Sequence, residues 1–420
     1  MKINPFTLER YFAQHEFSSR YLLSSSDCDG LLLNEILALA DSKEREQWNN
    51  LSLGYTESSG LPELRQEIAR LYKNVSADEA FVLSPGEANF IAMNVLLKSG
   101  DHVICMAPAY QSLYEVAKSI GCTLSFWNPS HDSPEWYYNP EDLKKLINNK
   151  TKLIIINFPH NPTGYIPSLE DYKKIVAIAR EKGLYIFSDE MYHQLEHNPK
   201  DTLPPMCEIY ERSISLWGMA KTFALAGLRL GWIVCKDPVV MNEMKQFKDY
   251  LTICSPATSE VLTLIALRNK SKLIHRNLKK IMTNIQLFRS FCENHAQHFH
   301  LSPTKAGSTA FVKLLLKESS LSFSQRLVEQ TGIMTLPAEM FDFGNSHLRI
   351  GFGRSNMVLS QRTRTAALAS RKAWGCSATT GCASTRSSPW RSSRSRSRPR
   401  SSRCSHRRTS PSPTPRSRRR

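Results

Sequence analysis

The sequence has no acidic residue after Met357, and this absence locates its excess positive charge. Of the 55 Lys and Arg residues, 17 lie in residues 358–420, so residues 1–357 hold 38 basic and 38 acidic side chains. The formal net charge of +17 therefore belongs entirely to the tail. Because the body is electrically balanced, the basic composition of the whole chain gives no reason to assign nucleic-acid binding to the body.

Paired cysteines and long apolar runs are also missing. None of the ten cysteines forms a C-x-x-C pair, which excludes a zinc site of that kind, and no metal site is predicted. Several cysteines, such as Cys105 and Cys235, lie in apolar runs, and this usage favours a reducing compartment. No apolar run approaches the roughly 20 residues of a membrane span, and the charged N-terminus lacks the apolar segment of a secretory signal. We therefore expect a soluble, cytoplasmic protein.

What the chain does contain is a regular alternation of strand and helix patterns between residues 81 and 235. Seven short apolar runs read as strands: FVLS, HVICMAP, TLSFW, KLIIINF, LYIFS, SISLW and LRLGWIVC. Helical patterns such as EANFIAMNVLLKSG and LEDYKKIVAIAREKG separate most of them. This order predicts an α/β fold with an open, mainly parallel seven-stranded sheet covered by helices.

The flanking regions differ from this core, and four segments are predicted. Residues 1–50 are a lead-in that belongs to a small domain, with one helix over LLLNEILALADSKEREQW. Residues 51–255 form the large sheet domain. Residues 256–357 form a smaller α+β domain, in which a long helical stretch precedes strands at AFVKLLL and HLRIGFG. Residues 358–420 form an Arg/Ser-rich tail.

The tail is predicted to be disordered, because its Ser, Arg and Pro residues cannot bury enough apolar area to fold. A basic tract of this kind binds RNA or another polyanion, or acts as a nuclear-import signal. It is alternatively an uninvolved solvated extension, or out-of-frame or fused sequence in place of a native final helix. The abrupt change in composition favours the last interpretation.

The ends of the predicted strands carry the residues that suggest a site. In open α/β sheets, ligands bind beyond the carboxyl ends of the strands. Five strands are followed there by a glycine turn, an aromatic ring or a polar group: Gly86, Tyr110, Asn161, Asp189 with Tyr192, and Lys221. Because these groups meet at one edge of the sheet, a single site is predicted.

Lys221 lies in SISLWGMAKTFALAGLRLGW, directly after a strand and among small neighbours. Partial desolvation in such a place lowers the pKa of a lysine, and the free amine can then attack a carbonyl. A surface lysine after a strand is the alternative, and this stretch by itself does not decide between them.

Several strings together resemble the pyridoxal-phosphate-dependent aminotransferases of fold type I, class I/II. In chain order they are LGYTESSGLPELR, FPHNPTG, SDEMY, GMAKTFALAGLRLGW and HLRIGFG, which is also the order in this family, and the resemblance covers about residues 20–357. Each string alone is weak. The resemblance implies a fold type I transferase whose large domain binds pyridoxal 5'-phosphate. It also implies transfer of an amino group between an α-amino acid and a 2-oxo acid through a Lys221 Schiff base.

The resemblance also implies roles around the cofactor ring. Lys221 would hold the aldehyde and later move a proton, and Asp189 would keep the pyridine nitrogen protonated. Tyr192 and Asn161 would donate hydrogen bonds to the phenolic oxygen, and Tyr110 would stack on the ring. The alternatives are a helix N-cap for Asp189, a turn for Asn161 and a core aromatic for Tyr110.

Further roles concern the phosphate and the substrate. The helix that begins near Gly86 would offer the amides of Glu87 and Ala88 to the phosphate, and Arg229 would add a fixed charge. Arg349, with Asn161, would bind the substrate α-carboxylate; a solvent-facing arginine is the alternative. Tyr55 resembles the tyrosine that reaches the phosphate of the neighbouring subunit, which implies a homodimer with a shared active site.

The sequence departs from the family at three places. Gly218 and Ala220 replace the usual hydroxyl residues before the lysine, with Thr222 as a partial substitute. The chain after the HLRIGFG strand also lacks the helix that usually completes the small domain.

The motifs leave the reaction and the substrate open. A lyase or cyclase of the same cofactor family, or a catalytically silent body with a nucleic-acid-binding tail, are the alternatives. The residue that contacts the substrate side chain is not identifiable from the sequence; His160, Asp27 and Asp29 are hypotheses only.

Overall fold

A seven-stranded sheet forms the centre of the structure, a computed structural model that describes residues 2–130 and 135–355. The tail of residues 358–420, which was predicted to be disordered, lies outside the described part of the chain. The strands of this sheet and of the smaller sheets, numbered together in chain order, are β1 (Tyr21–Leu22), β2 (Ala80–Leu83), β3 (His102–Met106), β4 (Thr123–Trp127), β5 (Thr151–Asn157), β6 (Tyr185–Asp189), β7 (Ser213–Gly218), β8 (Gly231–Cys235), β9 (Phe299–His300), β10 (Thr309–Leu314), β11 (Ile333–Met334), β12 (Leu336–Pro337) and β13 (His347–Gly351).

The described part of the chain also contains α-helices, which pack against the sheet and against one another. They are α1 (Thr7–His15), α2 (Leu33–Leu37), α3 (Ser42–Asn49), α4 (Pro62–Ala69), α5 (Pro85–Leu96), α6 (Ser112–Ile120), α7 (Pro140–Leu146), α8 (Leu169–Glu181), α9 (Met206–Ile209), α10 (Pro238–Lys248), α11 (Ala257–Arg268), α12 (Lys270–Asn294) and α13 (Ser320–Thr331). In the part of the chain that the structure describes, no helix has the length and apolar character to cross a bilayer.

The large sheet has the strand order β2-β8-β7-β6-β5-β3-β4 and contains all seven predicted strands. Every neighbouring pair is parallel except those that β8 makes with β2 and β7. Residues of β2, β3, β7 and β8 are buried throughout, as expected for strands covered on both faces. The predicted mainly parallel sheet is confirmed. The parallel order brings the carboxyl ends of β5, β6 and β7 to one edge.

Two predicted helices are each divided in the structure. The stretch predicted as one helix after residue 30 forms α2 and α3, because Asp41 starts a new helix by accepting a hydrogen bond from the Glu44 amide. The Glu44 carboxylate in turn accepts from the Asp41 amide and completes a capping box. The long helical stretch of residues 257–294 is likewise two helices, α11 and α12, which meet at Asn269.

A second, four-stranded sheet has the order β12-β13-β10-β9, and all of its neighbouring pairs are antiparallel. The strands predicted around AFVKLLL and HLRIGFG are its central pair, β10 and β13. The pairing sets Arg349 of β13 opposite Phe311 of β10. The predicted boundaries of the two domains stay a prediction.

Residues 24–29, here called the N-terminal segment, run across the end of β13. The Gly351 amide donates to the Leu23 carbonyl at 2.7 Å, and the Asp29 amide donates to the Gly353 carbonyl at 3.0 Å. A Cβ atom on Gly351 would lie 1.6 Å from the Ser25 carbonyl oxygen, and one on Gly353 would lie 2.2 Å from that of Asp27. Only glycine therefore permits this close approach, which holds the N-terminal segment beside the strand ends.

Candidate active site

A cavity of about 270 Å³ lies at the carboxyl ends of the parallel strands. Its walls come from the strand ends, the start of α5, helix α1 and the N-terminal segment. The residues that line it are Leu8, Glu9, Phe12, Glu16, Ser25, Ser26, Asp27, Pro85, Gly86, Asn89, Tyr110, Asn161, Asp189, Met191, Tyr192, Leu216, Ala220, Lys221, Ala226, Arg229 and Arg349. The structure therefore brings Gly86, Tyr110, Asn161, Asp189, Tyr192 and Lys221 together in one cavity, as the strand-end rule predicts. Arg229 and Arg349, which the family resemblance suggested, line the same cavity.

Lys221 follows β7 after the short turn at Gly218-Met219-Ala220. Its Nζ donates a hydrogen bond to Ser26 Oγ at 2.8 Å. Burial lowers the pKa of Lys221, against the opposing effect of the negative charge of Asp27. A lysine with a lowered pKa, held in a cavity, has the properties of an amine nucleophile rather than those of a surface lysine.

Asp189 is the last residue of β6 and is 8% exposed. Burial raises the pKa of Asp189 to about 6, although the Met191 amide donates to Oδ1 at 3.1 Å. Residues 190–194 form no helix, so the alternative of a helix N-cap is wrong. Burial destabilises the charged carboxylate of Asp189. A cation bound in the cavity would stabilise that carboxylate again, so the site favours a ligand with a positive charge at this point.

Arg349 and Asn161 are directly hydrogen-bonded, with Arg349 Nη1 donating to Asn161 Oδ1 at 3.2 Å. Arg349 Nε and Nη2 donate to the Ser24 carbonyl at 3.3 and 2.8 Å. The side chain is 2% exposed, so the alternative of a solvent-facing arginine is wrong, and burial lowers its pKa. No carboxylate hydrogen bond to Arg349 occurs within the described residues, which leaves its charge available to an anion in the cavity.

Asn157 supports this arrangement and was missed by the sequence reasoning. Its Oδ1 accepts from the Asn161 amide at 2.8 Å, and its Nδ2 donates to the Asp189 carbonyl at 2.7 Å. One buried amide thus fixes the backbone of two cavity residues. The signal in the sequence was a single polar residue at the end of the apolar run KLIIIN.

The two tyrosines of the cavity both use their hydroxyl groups within the chain. Tyr192 Oη donates to the Ser26 carbonyl at 3.1 Å, and Tyr110 Oη donates to Glu9 at 2.7 Å. The Tyr110 ring lies 4.8 Å from that of Phe6. The hydrogen bonds thereby orient both rings at the wall of the cavity.

The start of α5 contributes Pro85, Gly86 and Asn89 to the cavity. Gly86 is the second residue of the helix, and its amide has no carbonyl partner within the helix. The Glu87 amide donates to Ser84 Oγ at 3.3 Å and the Ala88 amide donates to the Ser84 carbonyl at 2.9 Å, and neither residue lines the cavity. Their predicted contact with a phosphate stays a prediction.

Asn89 is a buried polar residue of α5 that lines the cavity and was not predicted from the sequence. It is 3% exposed, its Nδ2 donates to Ser112 Oγ at 2.8 Å, and its Oδ1 has no hydrogen-bond partner in the described chain. Arg229 also lines the cavity and adopts a left-handed conformation with φ of 51°. Its Nη1 donates to the Ala226 carbonyl at 3.2 Å.

The structure explains why position 218 is occupied by glycine. Gly218 pairs with Gly231 across β7 and β8, and a Cβ atom on Gly218 would lie 2.8 Å from the Gly231 Cα. A serine at this position would therefore clash with the neighbouring strand. Ala220 lines the cavity, whereas the Thr222 hydroxyl donates to the His193 carbonyl at 2.7 Å and does not line it.

The three hypotheses for the substrate side chain have different outcomes. His160 is buried outside the cavity, its ring nitrogens bond to Thr163 and Pro108, and burial lowers its pKa to about 3. Asp29 bonds to Lys280 and Ser355 and does not line the cavity. Asp27 does line it.

Helix α1 and the N-terminal segment supply the remaining residues that sequence reasoning missed: Leu8, Glu9, Phe12, Glu16, Ser25 and Ser26. The strand-end rule could not identify these residues, because they do not follow strands of the large sheet. Tyr55 lies outside this cavity and is 89% exposed.

Comparisons with known proteins agree with this geometry. The family model described as aminotransferase class I and II matches residues 21–362. An aspartate aminotransferase of Sulfurisphaera tokodaii is 31% identical over 326 residues, which are 71% of this chain and 78% of the relative. A capreomycidine synthase of Streptomyces vinaceus is 24% identical over 350 residues, which are 82% of this chain and 88% of the synthase. The structure of a PLP-dependent aminotransferase from Streptococcus suis has a TM-score of 0.81 at 26% identity and covers 89% of this chain and 99% of that one.

The chain belongs to the class I and II aminotransferase family, and its fold is that of the fold type I enzymes. It is a transaminase that uses pyridoxal phosphate. The residues of the cavity fit such a group, since they include a buried acid, an amine with a lowered pKa, an arginine, and the first turn of α5.

Proposed function

We propose that this cavity transfers the amino group of an α-amino acid to a 2-oxo acid, with Lys221 and Asp189 as the catalytic pair. The observation that carries the proposal is that a buried acid and an amine of lowered pKa share one cavity, at the ends of the adjacent strands β6 and β7. When bound there, pyridoxal phosphate supplies an aldehyde carbon and an electron-withdrawing ring that stabilises negative charge at the substrate Cα.

Lys221 Nζ is the nucleophile for the aldehyde and afterwards the base that takes the proton from the substrate Cα. Its lowered pKa increases the fraction of free amine at neutral pH. When the amine is free, it donates a hydrogen bond to Ser26 Oγ at 2.8 Å, which holds it at the cavity wall.

Asp189 would hold the proton on the pyridine nitrogen, and Asn161 would donate to the phenolic oxygen. Tyr192 would donate to the same oxygen once its hydroxyl proton turns from the Ser26 carbonyl to the cofactor. Asp189 is suited to this because its buried carboxylate gains a cationic partner when the ring nitrogen is protonated. Tyr110 packs against the ring face, with its hydroxyl fixed by Glu9.

Arg349 and Asn161 bind the α-carboxylate of the substrate. The Arg349 guanidinium is buried and oriented by the Ser24 carbonyl, so a carboxylate would meet a planar donor that is already in place. Arg229 and the Gly86 amide bind the phosphate, with the amides of Glu87 and Ala88 as predicted further donors.

We also propose a homodimer in which Tyr55 reaches the partner's phosphate. Tyr55 is 89% exposed and lies beside other exposed apolar residues, which include Leu53, Tyr250 and Ile253. The two loops that carry them are joined by a hydrogen bond from Thr56 Oγ1 to the Ser255 carbonyl at 3.0 Å. An exposed apolar patch of this kind is typical of an interface.

The proposed location is the cytoplasm. The seven cysteines of the body are free thiols, and all except Cys254 are buried, which agrees with a reducing compartment.

The Lys221→Ala variant tests the proposal. We expect the purified wild-type protein to have a visible absorption band with added pyridoxal phosphate, and to form a 2-oxo acid from an amino acid. The Lys221→Ala protein should lose this band and at least about 99% of the activity. Lys200→Ala, at an exposed lysine, is the matched control.

A band without any oxo-acid product would refute transamination and favour a lyase or cyclase. A wild-type protein that binds no cofactor would overturn the whole assignment.

A further inference from the structure

The charges around the cavity do not balance once the proposed function is assigned. Arg229 is matched by the phosphate and Arg349 by the α-carboxylate, while Asp189 is matched by the ring nitrogen. The remaining ionisable side chains of the lining, apart from Lys221 and the tyrosines, are Glu9, Glu16 and Asp27. All three are acidic, and no further lysine or arginine among residues 2–130 and 135–355 lines the cavity.

Glu9, Phe12 and Glu16 belong to one face of helix α1 and its C-cap. Their spacing of three and four residues places them one above the other on the helix. Leu8 and Phe12 are buried and line the same wall. The wall thus combines apolar surface with carboxylates, which suits a side chain that has an aliphatic stem and a charged head.

The three carboxylates are not equivalent. Asp27 is paired with Arg354, whose Nη2 lies 2.8 and 2.9 Å from its two carboxylate oxygens. Glu9 accepts the Tyr110 hydroxyl. The Glu16 carboxylate has no hydrogen bond or ion pair with any of residues 2–130 and 135–355. Burial raises the pKa of Glu16, and the negative charges of Asp27 and Glu9 act in the same direction, while the positive charges of Arg354 and Lys221 oppose them.

A second feature of this wall also points to a ligand. Ser25 lines the cavity and is 3% exposed, yet its Oγ has no hydrogen-bond partner within the described residues. A buried hydroxyl without a partner costs free energy unless a ligand or water satisfies it. Its position on the N-terminal segment, two residues before Asp27, puts it in the same wall as the carboxylates.

We propose that the substrate is an amino acid with a cationic side chain, an ammonium or guanidinium group on an aliphatic stem, and that Glu16 is its counter-charge. The Ser25 hydroxyl accepts a hydrogen bond from the same cationic head. This inference rests on the proposed function. It also excludes a dicarboxylic amino acid as the preferred substrate, because a second carboxylate would face Glu16, and the nearby Arg354 is already paired with Asp27.

The test compares kcat/KM for L-lysine, L-arginine, L-norleucine and L-aspartate with the holoenzyme and one fixed 2-oxo acid as the amino-group acceptor. Norleucine keeps the aliphatic stem of lysine without the ammonium group. We expect lysine or arginine to exceed norleucine by at least about tenfold. In Glu16→Gln, which keeps the shape and removes the charge, the ratio of the cationic substrate to norleucine should fall about tenfold. Glu46→Gln, on the exposed face of α3, is the matched control and should leave both values unchanged.

A second readout does not depend on turnover. Calorimetry on the full-length Lys221→Ala protein with pyridoxal phosphate gives dissociation constants for lysine and norleucine, and the added Glu16→Gln change should remove the preference for lysine. Equal values for lysine and norleucine in the wild type, a preference for aspartate, or an unchanged ratio in Glu16→Gln would each overturn the proposal. A wild-type protein that binds no pyridoxal phosphate would instead refute the proposed function, and the two failures are therefore distinguishable.

Discussion

At the scale of single residues, two neighbouring carboxyl groups at the end of β6 have different surroundings. Asp189 lines the cavity, whereas Glu190 is buried in the protein interior, where Ser215 and the Met206 amide donate to its Oε1 at 2.9 and 2.8 Å. Glu190 Oε2 has no hydrogen-bond partner in the described chain. Burial raises the pKa of Glu190 to about 7.

This shift predicts a pH dependence of stability. The unfolded chain releases the Glu190 proton near pH 4.5 and the folded chain near pH 7, so the unfolded state binds fewer protons between these values. The free energy of unfolding should therefore fall by roughly 3 kcal/mol through this group as the pH rises across that window. In Glu190→Gln this contribution is absent. Unfolding measured at pH 5 and pH 8 checks it, with Glu46→Gln as control, and an identical pH dependence in Glu190→Gln would contradict the expectation.

The residues of the site were predictable from sequence to the extent that they follow strands. Lys221, Asp189 and Asn161 each end a recognisable apolar run, so the edge where they meet could be inferred. Glu16 and Ser25 could not be found in this way. Their side chains reach the cavity only through the packing of α1 and the N-terminal segment, and a helix face carries no signal of what it will contact.

At the scale of elements, the seven strands of the large sheet were predictable because each is a short, continuous apolar run between helical patterns. The breaks in the helices were not. Asp41 interrupts a helical pattern that continues on both sides, and only the capping hydrogen bonds to Glu44 show that a new helix begins there. The short strands β1, β11 and β12, of two residues each, have no periodicity to detect.

The contact between the N-terminal segment and β13 predicts a strong effect of Gly351→Ala. The added methyl group would lie 1.6 Å from the Ser25 carbonyl oxygen, so the segment must move away. We expect a loss of stability of at least about 2 kcal/mol and weaker cofactor binding, because Ser26 would leave Lys221. Chemical denaturation and cofactor titration measure the two effects. Gly227→Ala, where no atom lies within 4 Å of the new methyl group, is the control. Equal behaviour of the two variants would refute the argument.

At the scale of the whole molecule, the exposed Tyr55 distinguishes a shared site from a site within one chain. A hybrid dimer of Lys221→Ala and Tyr55→Ala subunits has one site with both changes and one site with neither. Mixing the two weakly active proteins after dissociation should recover up to about a quarter of wild-type activity, because half of the dimers are hybrids with one intact site of two.

The control mixes Lys221→Ala with Asp189→Asn. Both of these residues come from the same chain as the cavity, so every hybrid site carries one of the changes and no activity should return. If the Tyr55 mixture also gains no activity, Tyr55 does not act on the partner's site.

The hydrogen bond from Arg349 to the Ser24 carbonyl joins residues that are 325 positions apart in the chain. During synthesis at about 5–20 residues per second, Ser24 leaves the ribosome roughly 15 to 65 seconds before Arg349 does. Until β13 has been made, the N-terminal segment has no strand end to rest on, and the wall that contains Ser25 and Ser26 is missing. The nascent chain can therefore fold much of its large sheet early, but it acquires a complete cofactor cavity only after β13 has been synthesised.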